Sequence, residues 1–159
     1  MSLDVEALID AVRDLALETG LFGVINGHEP ATPIPDGLDA AVWLQYIGPC
    51  HPISGLSATA AAVTVWMRVY SKSLSNTATP ADLDAIDPAI GDATSQMIGL
   101  LSGDFTLGDL VFAVDLLGMD QVMLSAKAGN IDVSGTVYRI MDITIPLLID
   151  AVWTQAPGS

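Results

Sequence analysis

Asp82, Asp84 and Asp87 lie close together in the chain and are the first candidates for chemistry. A calcium loop built on such a triplet also needs Gly at its sixth position and Glu at its twelfth, and neither is present. These carboxylates read as residues of helix starts on a solvated face, where acids are favoured. Cys50-His51 is the sole sulfur–imidazole neighbour pair. A thiol nucleophile needs its base to converge on it through the fold, whereas adjacent residues in a Pro-flanked turn diverge. His28, beside Glu29, has the residue type of a pH switch, but a lone loop histidine reads as solvated. Ser54-Gly55 lacks the preceding Gly of a nucleophile elbow. Gly20, Gly23 and Gly27 lack the Lys-Ser/Thr of a phosphate loop and the spacing of a dinucleotide fingerprint. One Cys and two distant His exclude a zinc pattern. No catalytic, cofactor-binding or metal-binding residue is assigned, and the expectation is a protein without enzymatic activity and without a cofactor.

The aromatic residues carry the stronger signal. From Thr59 to Ser71 the sequence alternates, with Ala61, Val63, Val65, Met67 and Val69 on one side and Thr64, Trp66, Arg68 and Tyr70 on the other. Trp43, Tyr46, Trp66 and Tyr70 have base-stacking residue types, but single-strand grooves are lined with positive charge. Aromatics mixed with Arg suit a covered face, either core or interface. Trp43, Trp66, Arg68 and Tyr70 are therefore the candidate subunit contacts.

The elements that would position these residues follow from periodicity and punctuation. Val5, Leu8, Ile9, Val12 and Leu15 form the buried stripe of a helix over about 3–19, with Ser2 as its cap and Gly20 as its stop. Three Gly and three Pro between Leu21 and Asp39 predict a short strand and then a long loop over about 26–39. Strands over about 41–47 and 59–71 are expected to pair antiparallel across the Gly48-Pro49 to Ser54-Gly55 connection. Thr79-Pro80 and Asp87-Pro88 both read as helix starts, the second opening a main helix over about 88–101. Its buried side would be Ile90, Ala93, Met97 and Leu101, and Gly103 would end it.

Strands are expected over about 110–116, 121–127 and 136–149, with Gly129-Asn130 as a turn. Val137, Met141, Ile143, Ile145 and Leu147 would share one side of the last. Pro146 donates no ladder bond, which marks an edge, a bulge or the end of pairing there. Residues 154–159 would form a flexible tail. The predicted fold is a single α+β domain over 1–159: a mostly antiparallel or mixed sheet of about five to six strands against two main helices.

Composition narrows the partners. The 159 residues include 5 Lys+Arg and 19 Asp+Glu, a formal charge of −14, and 16 of the acids are Asp. A cation-poor chain cannot neutralise phosphates, which excludes ordinary nucleic-acid binding through a basic face. A hydrophobic content of 51% excludes intrinsic disorder. The uncharged stretch Ala40–Met67 is long enough to span a bilayer, but Gly48, Pro49, Pro52 and Gly55 interrupt it and flanking cations are missing. The expectation is a soluble protein made in a cytoplasm, with no membrane partner and no signal peptide, since Met1–Glu6 is acidic.

Several strings carry a family resemblance. They are Val24-Ile25-Asn26-Gly27-His28-Glu29-Pro30; Gly37-Leu38-Asp39-Ala40-Ala41-Val42-Trp43; Ala61-Val63-Val65 with Arg68-Val69-Tyr70; and Ile86-Asp87-Pro88. The second half adds Ser102-Gly103-Asp104-Phe105-Thr106-Leu107-Gly108, Val114-Asp115-Leu116-Leu117-Gly118, Ser125-Ala126-Lys127-Ala128-Gly129 and Tyr138-Arg139-Ile140-Met141-Asp142-Ile143-Thr144-Ile145-Pro146. Together they resemble the tail terminator proteins of long-tailed phages that infect actinobacteria, from the first helix to Trp153.

The resemblance implies a structural virion protein, without catalytic residues, at the head-proximal end of the tail. It would form a homo-oligomeric ring, typically a hexamer, that caps the tail tube, ends its polymerisation and joins it to the head–tail connector. Such a ring encircles DNA without binding it specifically. Residues 31–36 and Met119-Asp120 fall outside the matching strings. Another connector, a minor tail or tube subunit, or a small hydrolase using Cys50 are the alternative readings.

Overall fold

Helices and strands form where the apolar spacing changes period. The computed structural model describes residues 3–28, 38–50, 54, 58–73 and 79–154. Among them α1 spans Val5–Thr19, β1 Ile25–Asn26, β2 Asp39–Cys50, β3 Ala58–Ser73, α2 Pro80–Asp84, α3 Ile86–Gly103, β4 Ala113–Val114, β5 Ser125–Val133 and β6 Thr136–Thr154. This is the α+β architecture expected, a mixed sheet of six strands with the helices on it. The sheet runs β1-β2-β3-β6-β4, with β5 also paired to β6. β1 is parallel to β2 and all other pairs are antiparallel.

The stripe of α1 is buried through Leu8, Val12, Leu15 and Ala16. Its N-cap is Asp4, whose carboxylate accepts from the Ala7 amide at 3.0 Å. Ser2, the expected cap, lies outside the described residues. Gly20 stops the helix in the left-handed conformation, at φ +66°, with its amide donating to the Leu17 carbonyl. In α3 the expected Ile90, Ala93, Met97 and Leu101 are all buried, joined by Ile86 and Thr94. The buried Thr94 hydroxyl is satisfied by the Ile90 carbonyl one turn back, at 2.7 Å.

Both helices cover one face of the sheet. Ala61, Val63, Val65, Met67 and Val69 of β3 meet Ile143, Ile145 and Leu147 of β6 beneath them in the main core. Each large aliphatic side chain buried there contributes about 1.5–3 kcal/mol. The alternation expected for β3 is thus the alternation observed.

Four expectations change. Asp87-Pro88 does not cap α3: the helix begins at Ile86, with Ala85 at the N-cap position and no side-chain cap bond. Pro88 still sits in the first turn, where its missing N–H costs nothing. Asp87 instead reaches Arg139 of β6, Oδ1 to Nε at 3.0 Å.

The expected strand over 110–116 shrinks to Ala113–Val114. Leu107, Gly108 and Asp109 turn left-handed in succession just before it, and most of the apolar run is consumed in turns.

The strand expected over 121–127 forms later, over Ser125–Val133, so Gly129-Asn130 lies inside it. The turn falls on Ser134 and Gly135, at φ +53° and +85°, with the Asp132 carboxylate accepting from the Gly135 amide at 2.8 Å. Two successive positive φ values match the twist of a tight hairpin.

Finally, the last strand runs on to Thr154, and Pro146 is buried within it, opposite Thr64 of β3. β5 leaves β6 at Thr144 and β4 joins it at Leu147. Pro146 occupies the seam between them, with its carbonyl accepting from the Asp115 amide at 2.9 Å. A residue without an N–H is tolerated where the neighbouring strand changes.

Strands expected over 41–47 and 59–71 are longer, Asp39–Cys50 and Ala58–Ser73, and pair antiparallel as expected, with a register shift between Leu44 and Tyr46. Most of the expected 26–39 loop, and residues 155–159 of the expected tail, lie outside the described residues.

Candidate functional site: the uncovered sheet face and its apolar loop

The side chains opposite the helices decide what this fold can present. Trp66, Arg68 and Tyr70 project there from β3, as the alternation predicted. Arg68 and Asp142 are register partners across β3 and β6. The guanidinium donates from Nε to Oδ1 at 2.7 Å and from a terminal nitrogen to Oδ2 at 3.1 Å. The hydrogen bond it donates to Asp142, opposed by burial, holds Arg68 above its ordinary pKa, so it stays charged at any working pH.

Arg68 also lies over Trp43, 5.4 Å from the ring centroid, and Trp43 meets Trp66 at 6.2 Å between centroids. Three of the four expected contact residues thus form one connected, half-buried cluster. Tyr70 separates from them. It is 1% exposed and packs edge-on against Tyr138 in a second small core with Ala41 and Ile140. A ring so covered has no surface to offer another subunit.

The residues considered for chemistry are dispersed. Cys50 ends β2, fully buried with Ala60, Ala62 and Leu148; His51 lies outside the described residues. Ser54 ties this end of the sheet together, donating to the Cys50 carbonyl and accepting from the Ala60 amide. Asp82 and Asp84 belong to α2, where the Thr79 hydroxyl accepts from the Asp82 amide, while Asp87 is turned to Arg139. His28 is exposed. Among the described residues, no three His, Cys, Asp or Glu side chains form a metal-binding group.

Sequence reasoning missed the most exposed apolar feature, the connection between β4 and β5. Leu117 is 89% exposed, and Met119, Val122 and Met123 are exposed beside it. An apolar loop of this kind is usually pulled inward, but Asp115 holds it out. That carboxylate is buried and accepts from the Met119 amide at 2.7 Å and the Asp120 amide at 2.8 Å. The Asp115 backbone closes the base, donating to Pro146 and accepting from the Leu124 amide at 3.3 Å. Gly118, at φ +80°, makes the turn; any Cβ there would press against Met123 at 3.3 Å. The signal in the sequence is Asp115 three residues before Gly118, an Asp positioned to bond the backbone ahead of it.

Beside the loop, a cavity of about 320 Å³ opens on the same sheet face. Tyr46 and Pro49 of β2, Thr64 of β3, Pro146 of β6 and Asp120, Gln121 and Val122 of the loop line it. Tyr46 folds back over Gly48, where even a methyl group would collide with its ring. The chain matches no protein-family model and no curated protein.

Proposed function

We propose that this chain is the tail terminator of a long-tailed phage, a ring-forming structural protein that caps the head-proximal end of the tail tube. In this reading it halts tube polymerisation and presents a surface to the head–tail connector, in a ring that is typically hexameric. The family resemblance along the chain motivates the reading. The structural observation that supports it is the Asp115-anchored loop: apolar side chains left in solvent on a hydrogen-bonded loop suit a contact surface.

Two further points agree with the role. Heterologous contacts between identical subunits close into rings when the rotation allows. The charge of −14 suits a passage through which DNA must slide without being held.

The test is to mix purified protein with tail tubes and follow light scattering and negative-stain images. Rings at one end of each tube, with elongation stopped, are expected. Protein that never decorates tube ends overturns the reading. Incorporation along the tube, or binding to filled heads in place of tails, would identify a tube subunit or a connector instead.

A further inference from the structure

We infer that the turn following α3, with the flank of α1 beside it, docks a basic amphipathic segment of another protein. The turn leaves three large apolar side chains in solvent: Phe105 is 49% exposed, Leu110 39% and Phe112 50%. Two of the chain's three phenylalanines are here, whereas the third, Phe22, packs on the main core. Apolar side chains clustered in this way mark a contact surface.

They are close in space because the chain doubles back on itself. The Val111 amide donates to the Thr106 carbonyl at 3.1 Å, and the Val114 amide donates to the Phe105 carbonyl. The turn is also bonded by its own side chains. Asp104 accepts from the Gly108 amide at 3.0 Å, and the Thr106 hydroxyl accepts from the Asp109 amide at 3.3 Å. Leu107, buried between them, ties the turn to the core.

Charge complementarity identifies the occupant. A cleft of about 180 Å³ separates Asp104, Leu107 and Gly108 of the turn from Asp14, Leu15 and Glu18 of α1. Its charged groups are three carboxylates, and exposed Asp109 adds a fourth on the same turn. None of the four has an ion pair among the described residues, and they do not form a metal-binding group there. A segment with Lys or Arg along one side and apolar residues along the other matches both halves. Its cations meet the carboxylates while its apolar side lies on Phe105, Leu110 and Phe112. A second copy is a poor match, since it brings 19 acids against five cations. Arg13, Arg68 and Arg139 already pair within the chain. The surface uses no residue of the Asp115-anchored loop, so the inference holds whether or not the chain caps a tail tube.

The experiment titrates the full chain with an amphipathic peptide built of Leu-Lys-Lys-Leu-Leu-Lys-Leu repeats, following backbone amide resonances. Shifts are expected at Asp14, Glu18 and residues 104–112. Asp14→Lys combined with Glu18→Lys should weaken binding about tenfold, as two reversed, solvated charges allow. The same charge change at exposed Asp84 and Asp92 should weaken it less than about twofold, because screening limits distant charges. Phe112→Ser should cost about fivefold, with each variant unfolding as cooperatively as the parent. Equal weakening by the two charge-reversed pairs overturns the proposal, since attraction is then only to the overall charge. Shifts confined to other surfaces overturn it as well, as does equally tight binding of spermine, which has no apolar side. A concentration-dependent shift at 104–112 without peptide also overturns it, because the occupant is then a second copy.

Discussion

Arg68 and Asp142 face each other across the two longest strands, joined by two hydrogen bonds on the face that the helices leave uncovered. The pair is partly shielded, with side-chain exposures of 12% and 22%. Removing one member strands the other charge in that setting. Asp142→Ala should cost about 1–3 kcal/mol in urea unfolding. Arg68→Met combined with Asp142→Leu should cost less than the sum of the single changes. A double-mutant cycle measures this, and additive losses would mean that the two groups do not interact.

Asp115 is expected to control the loop more than the domain. Asp115→Ala leaves the amides of Met119 and Asp120 without their acceptor, a loss of about 1–3 kcal/mol concentrated in the loop. Hydrogen exchange at these two amides should accelerate while the α1 and α3 amides keep their protection. Uniform acceleration throughout the chain would show that the loop is not a separate unit.

Cys50 should be chemically silent in the folded protein. It is fully buried, so a disulfide-exchange reagent reaches it only through an opening of the sheet end. Labelling should be negligible in buffer and complete in denaturant. Rapid labelling under native conditions would contradict the packing of Ala60, Ala62 and Leu148 around it.

Leu117→Asp separates folding from assembly. The side chain is 89% exposed, so the change should alter stability by no more than about 0.5 kcal/mol. Under the proposed function it should reduce decoration of tube ends. Full decoration by this variant would remove the loop from the contact surface.

Much of the fold was legible because its signals were periodic. The stripe of α1, the buried side of α3 and the two faces of β3 each repeat over several turns or residues, and tertiary packing respects them. The failures lie where local composition and long-range pairing compete. Leu110–Leu116 has strand composition, but a run of left-handed residues diverts the chain before it can pair at length. Gly129-Asn130 and Ser134-Gly135 are both credible turns, and only the register with β6 selects the second. Of the 16 Asp, nothing local distinguishes the buried Asp39 from those left in solvent, whereas Asp115 is marked by the Gly118 that follows it. The cavity was equally hidden, since Tyr46, Thr64 and Asp120 meet only through the sheet.

The proline in β6 has a mechanical consequence. β5 cannot extend its ladder through Pro146 toward β4, because no donor exists at the position where the next rung would form. The hairpin therefore has a stop at one end and a tight turn at the other, and it cannot creep along its neighbour by a register step. The β4–β5 loop starts and finishes on either side of that stop, so its two feet stand at a set spacing. A missing hydrogen in the middle of a strand thus acts as a ruler for the surface above it, holding Leu117 at one height over the sheet.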